Sequence, residues 1–140
     1  MPIPASVPRD IPILVVDDFA TMRRIVRNSL RQLGFTNVVE AADGSDALNH
    51  LKESEFEFII SEWNMPTLNG LELLRAVRSD EKHKETPLLV ITTESQRTNV
   101  VAHEKDRISG FVVKPLTTDI LESKMVRLLC QREDHAGRGD

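Results

Sequence analysis

Five short apolar runs recur along the chain, at 13–16 (ILVV), 38–41 (VVEA), 56–61 (FEFIIS), 88–92 (LLVIT) and 110–113 (GFVV). The first, fourth and fifth are nearly continuous in apolar and β-branched residues, the pattern of strands buried on both faces of a parallel sheet. Helical periodicity fills the intervals. In the first interval Met22, Ile25, Val26, Ser29, Leu30 and Leu33 share one face, Arg23, Arg24, Arg27 and Arg31 fall largely elsewhere as a solvated face, and Gly34 supplies a stop. A second helix is predicted over 45–53 with Ala47, Leu48 and Leu51 inward. A third follows Gly70 and turns Leu71, Leu74, Ala76 and Val77 to the core, and the last carries Ile120, Leu121, Met125, Leu128 and Leu129. The segment 96–107 has only Val100, Val101 and Ala102 to anchor a helix.

Strands alternating with helices predict an α/β fold, a (βα)5 doubly wound three-layer sandwich with right-handed crossovers around a five-stranded parallel sheet. A length of 140 residues suits one domain. Its expected span is 11–131, between a loose N-terminal arm over 1–10 and a frayed tail over 132–140.

Composition narrows the class further. A net charge of −4 gives no basic face for nucleic acid or anionic membrane. No apolar run approaches the roughly 20 residues of a membrane span. The single Cys130 has no partner for an intramolecular disulfide, and the proline-spaced N-terminus lacks a signal-peptide core, so a cytoplasmic protein is expected.

In doubly wound sheets ligands bind beyond the carboxyl ends of the strands, so the strand ends can be read as candidate site residues. The first strand ends in Asp17 and Asp18, the third in Glu62, the fourth in Thr92 and Thr93, and the fifth in Lys114 followed by Pro115. Asp18 alone is also a plausible helix cap, Thr92 an ordinary strand residue and Lys114 a surface lysine. Gathered at one sheet edge, three carboxylates and one ammonium carry a charge of −2, which a hard divalent cation such as Mg²⁺ would neutralise. A lysine facing that metal can take an oxyanion, and a hydroxyl can hydrogen-bond it, which suggests phosphoryl handling without a nucleotide.

The segments "LVVDDFATMRRIVRNSLRQLGFTNVVEAADGSDAL", "WNMPTLNGLELL", "ITTES" and "GFVVKP" resemble a single-domain response regulator receiver of the bacterial chemotaxis type, CheY-like with a flavodoxin-like fold, over roughly 10–130. The resemblance implies a signalling module and not an enzyme in the ordinary sense. It places Mg²⁺ on Asp17, Asp18, Glu62 and the Asn64 carbonyl, and phosphate binding on Lys114. The hydroxyl switch falls on Thr92 and the rotating aromatic on Phe111. The expected output face includes Arg97, Val100, Phe111 and Lys124. The implied partners are a histidine kinase and the flagellar motor switch protein, with the chain itself a monomer, and a cis Lys114–Pro115 bond is implied as well.

Three positions depart from the family pattern. Glu62 stands where the phospho-accepting aspartate is expected, one C–C bond of about 1.5 Å longer. Misplacement by about 1 Å costs around 100-fold in rate, or roughly 2.7 kcal/mol of barrier, so phosphorylation is expected to be impaired. Glu62 is placed to reach Lys114 directly instead. Phe111 lacks the phenolic hydroxyl frequent at its position, and Arg107 replaces a glycine, costing about 1–2 kcal/mol if its backbone is left-handed. Two alternatives stand beside this reading: a degenerate receiver that signals without phosphate to another partner, and a Mg²⁺-dependent phosphohydrolase. The latter lacks its usual D-x-D motif, since the first strand gives Asp17-Asp18-Phe19. No nucleotide-binding glycine motif occurs, and with no Tyr and one Trp the chain is poor in ring-stacking aromatics for a flavin.

Overall fold

The computed structural model describes residues 2–137, with side chains through residue 130 other than Glu104. Strands β1 (Ile13–Val16), β2 (Val38–Ala41), β3 (Phe58–Glu62), β4 (Leu88–Thr92) and β5 (Gly110–Val113) pair in parallel in the order β2-β1-β3-β4-β5. The order reverses at β1, so the crevice beyond β1 and β3 is the topological switch point. Five helices cover the sheet: α1 (Ala20–Gln32), α2 (Gly44–Glu53), α3 (Gly70–Arg78), α4 (Arg97–Ala102) and α5 (Thr118–Gly137).

Strand side chains alternate between two cores, as a period of two requires. Ile13, Val15, Ile60 and Ile91 join Val26 and Leu30 of α1 and Leu121 and Met125 of α5 on one side. Leu14, Val16, Ile59 and Val90 join Leu51 of α2, Leu73, Leu74 and Val77 of α3 and Val100 of α4 on the other. Both faces are therefore covered. The predicted α/β architecture and the (βα)5 winding are those observed.

Local signals explain most boundaries. The Gly34 stop ends α1 as predicted: at φ 98° it lets its own N–H reach Arg31 O at 2.9 Å and the Phe35 N–H reach Leu30 O at 2.9 Å. Asp43 caps α2 by accepting from the Asp46 N–H at 2.8 Å. Asn69 and Glu72 form a reciprocal capping box on α3.

Several expectations need correction. β3 begins at Phe58, two residues later than the apolar run suggested, and includes Glu62. Ile25 and Ile120 lie 43% and 39% exposed instead of inward, while Leu73 is fully buried on α3. The N-terminal segment is no loose arm. Ile3 and Val7 are buried in the core on the α1/α5 side, and Arg9 donates to the carbonyls of Ile3, Pro4, Val7 and Leu33 while its guanidinium stacks over Phe35 at 5.3 Å. Where a frayed tail was expected from 132, α5 continues to Gly137; 138–140 lie outside the described residues.

The segment after β4 is built as a chain of short turns. A 3-10 turn at Glu94–Gln96 leads into the six-residue α4, and another at Glu104–Asp106 follows it. Arg107 does adopt a left-handed backbone, φ 67°, just past the second 3-10 turn, whereas α4 already ends at its cap His103, whose N–H bonds Val100 O at 3.0 Å. The Lys114–Pro115 bond is cis, as the resemblance implied.

Candidate functional site

The acidic end of β1 is held from several directions. The Asp17 N–H donates to Ala41 O at 3.2 Å, extending the β1–β2 pairing by one residue. Asp17 Oδ1 accepts from the Phe19 N–H at 2.9 Å, an Asx turn that swings the chain into α1. Its carbonyl accepts from Arg23 Nη1 at 2.7 Å. Asp17 Oδ2 is buried with no hydrogen-bond partner. Burial, opposed by the Phe19 hydrogen bond and reinforced by the charges of Glu62 and Asp18, pushes the Asp17 carboxyl up to about 6. A buried carboxylate oxygen with nothing to bond to is chemically unfinished.

Glu62 arrives from the neighbouring strand. It is 7% exposed, and both oxygens are engaged: Oε2 accepts from the Trp63 N–H at 2.8 Å and Oε1 from Lys114 Nζ at 2.5 Å. Lys114 comes from the end of β5, its own N–H donating to Thr92 O at 2.8 Å. The approach of α3 to this corner needs a residue without a side chain. A Cβ on Gly70 would sit 2.8 Å from Glu62 O and from Trp63 Cα, and the Gly70 N–H donates to Trp63 O at 2.9 Å.

A cleft lined by Asp18, Phe19, Glu62, Asn64, Met65, Pro66, Thr93 and Lys114 opens over these strand ends. Of the predicted site residues, Asp17, Asp18, Glu62, Asn64 and Lys114 thus converge at one end of the sheet. Thr92 does not line the cleft. It is buried, its Oγ1 lies 3.5 Å from Thr93 O, and the exposed Thr93 lines the cleft in its place. Val100, Phe111 and Lys124 meet elsewhere, in a second cleft between α4 and α5 whose other walls include Ile108, Arg127 and Leu128. Arg97 is exposed and faces Glu94 at 3.6 Å.

Among the described residues no three His, Cys, Asp or Glu side chains close around one point. The donors nonetheless suit a hard cation that keeps much of its water: one orphaned carboxylate oxygen, the exposed Asp18 and the exposed Asn64 beside it. Glu62 can join them through the lone pairs that its single bonds to Lys114 and the Trp63 amide leave on each oxygen.

Two features escaped the sequence reading. Arg23 looked like one of four solvated arginines, yet it bonds Asp17 O and Glu40 Oε1. The indole of Trp63 packs against His103 at a centroid distance of 5.9 Å, and His103 Nδ1 lies 3.2 Å from Asp106 Oδ2. An acid on the edge strand opposite Arg23 was the available signal for the first. Only the tertiary fold brings Trp63 and His103 together.

The family model of the response regulator receiver domain matches residues 13–126. The chemotaxis protein CheY of Pseudomonas aeruginosa is 47% identical over 116 residues, 83% of this chain and 94% of that protein. The solved structure of chemotaxis response regulator CheY4 of Vibrio cholerae superposes with a TM-score of 0.78 at 34% identity, covering 85% of this chain and 98% of that one. The receiver domain of a Pseudomonas aeruginosa sensor histidine kinase, solved with a magnesium ion coordinated in its active site cleft, shares the fold with a TM-score of 0.76 at 22% identity, covering 85% and 97%.

Proposed function

The chain belongs to the response regulator receiver domain family and is similar to chemotaxis proteins of the CheY type, and on that premise we propose that its receiver domain, spanning residues 11–131, is a Mg²⁺-binding chemotaxis regulator whose output is binding to the flagellar motor switch. The supporting observation is the orphaned, buried Asp17 Oδ2 beside Asp18, Asn64 and Glu62 at the switch point. Asp17, Asp18 and the Asn64 carbonyl would hold the cation in this reading, with Glu62 as a further ligand. The bound ion supplies charge neutralisation for an incoming phosphoryl group. Lys114 takes one of that group's oxygens, and Thr92 with Phe111 relays the change to the cleft between α4 and α5, the face that also carries Arg97, Val100 and Lys124.

Phosphorylation by a histidine kinase is impaired in this reading because Glu62 stands at the acceptor position and is already paired with Lys114 at 2.5 Å. The same contact favours a second reading, a receiver that works without phosphate and addresses another cytoplasmic partner. Titrating the monomeric chain with purified motor switch protein, without any phosphodonor, separates the two. The motor-switch reading expects saturable binding that Lys124→Glu abolishes. Absence of binding even to a Glu62→Asp variant treated with Mg²⁺ and a small phosphodonor removes the motor switch as partner.

A further inference from the structure

We infer that Arg23 is a positioning residue for the Asp17 carboxylate, fixing the acidic loop so that Asp17 Oδ2 faces a bound divalent cation; the inference rests on the Mg²⁺ reading above. Three of the four polar atoms of Asp17 are committed. The amide is held by Ala41 O, Oδ1 by the Phe19 N–H, and the carbonyl by Arg23 Nη1 at 2.7 Å, which leaves Oδ2 alone for a ligand. That carbonyl lies before α1 begins, outside the helical hydrogen-bond ladder, and Arg23 Nη1 donates to it.

Arg23 is itself fixed. Its Nε donates to Glu40 Oε1 at 3.1 Å, and Glu40 Oε2 accepts from Arg27 Nη1 at 2.6 Å. The guanidinium fork therefore spans the edge strand β2 and the end of β1 with its side chain only 18% exposed. A planar group with several donors in fixed geometry can bridge two such acceptors, whereas an ammonium on a flexible stem reaches one of them well. Groups that orient a metal ligand in this way typically carry about 10–100-fold in metal affinity.

Charge and positioning predict opposite signs. A cation beside the site repels Mg²⁺, so removing Arg23 tightens binding if only its charge matters and weakens it if its hydrogen bonds hold the loop.

The test is a Mg²⁺ titration of the full chain followed by Trp63 fluorescence and calorimetry, with thermal melts of each metal-free protein alongside. Arg23→Ala is expected to weaken Mg²⁺ binding by roughly 10–100-fold. Arg24→Ala removes the same charge from the exposed neighbouring position and is expected to stay within about twofold, as a screened surface charge should. Arg23→Lys is expected to fall between, and it carries the test if Arg23→Ala does not fold. Equal or tighter binding by the Arg23 variants, or an equal loss in Arg24→Ala, overturns the positioning role while leaving the Mg²⁺ site standing. Failure of the unaltered chain to bind Mg²⁺ overturns the site reading and the positioning role with it.

Discussion

Lys114 and Glu62 close on each other across the ends of β5 and β3, Nζ to Oε1 at 2.5 Å, so the cation suited to an incoming anion is already held by the carboxylate at the acceptor position. Glu62 is 8% and Lys114 28% exposed at the side chain, so the pair is partly withdrawn from water.

Glu62→Asp is therefore expected to convert a poor phosphate acceptor into a good one. Incubated with Mg²⁺ and a small phosphodonor, the unaltered chain should incorporate base-labile phosphate about 100-fold more slowly than the variant. Comparable rates for the two proteins would show that the longer side chain is accommodated.

Mg²⁺ affinity should depend on pH through Asp17, whose carboxyl is pushed up to about 6 mainly by burial. A metal ligand must be deprotonated, so the apparent affinity should fall about tenfold for each pH unit below about 6. In the metal-free protein the sign for folding is opposite. A raised carboxyl favours the folded state fully below its ordinary 3.8, and that contribution is lost as pH rises through about 6. Asp17→Asn should flatten both dependences, read by calorimetry and thermal melts.

The relay reading predicts that Thr92→Val uncouples the two clefts. Thr92 is buried, and Phe111 is half-buried at the wall of the α4/α5 cleft, so the aromatic has room to move between two positions. A fluorine label on Phe111 should shift when a phosphate analogue and Mg²⁺ are added to the Glu62→Asp protein. The shift should vanish in the Thr92→Val background. An unchanged resonance in the Glu62→Asp protein itself would end the relay reading.

His83 should matter for stability and not for Mg²⁺ binding. It is fully buried, its Nε2 accepts from the Phe56 N–H at 3.0 Å, and its Nδ1 lies 2.5 Å from Asp80 Oδ2. His83→Ala leaves the Phe56 amide orphaned beside a cavity and should cost about 2–4 kcal/mol in denaturant unfolding. The hydrogen bond from His83 holds the Asp80 carboxyl below its ordinary 3.8, so its contribution is full above that pH and is lost on acidification through the lower folded value. Asp80→Asn should therefore destabilise at neutral pH, and its deficit should close as pH falls below 3.8.

The strand ends were legible because burial on both faces writes a nearly continuous apolar run, and any acid, hydroxyl or lysine closing such a run stands out. Asp17, Asp18, Glu62 and Lys114 were found in that way. Thr92 and Thr93 are adjacent and chemically alike, so a run ending in both could not tell which one faces the cleft. Helical spacing alone put Ile25 and Ile120 inward, since it places residues on a stripe without fixing its width. Position at the start of the sequence made residues 1–10 read as loose, although Ile3, Val7 and Ile11 recur every four residues there. Its decisive bond, Arg9 to Leu33 O, spans 24 positions and leaves no local trace.

That packed N-terminal segment has a consequence for the order of folding events. Ile3 and Val7 belong to the same buried cluster as Leu128 and Leu129, so this cluster joins the segment before β1 to the last helix. Contacts of such sequence separation form late, because the loop they close must be ordered before they repay it. The segment before β1 is therefore expected to settle onto the sheet late in folding, as a latch on elements already in place.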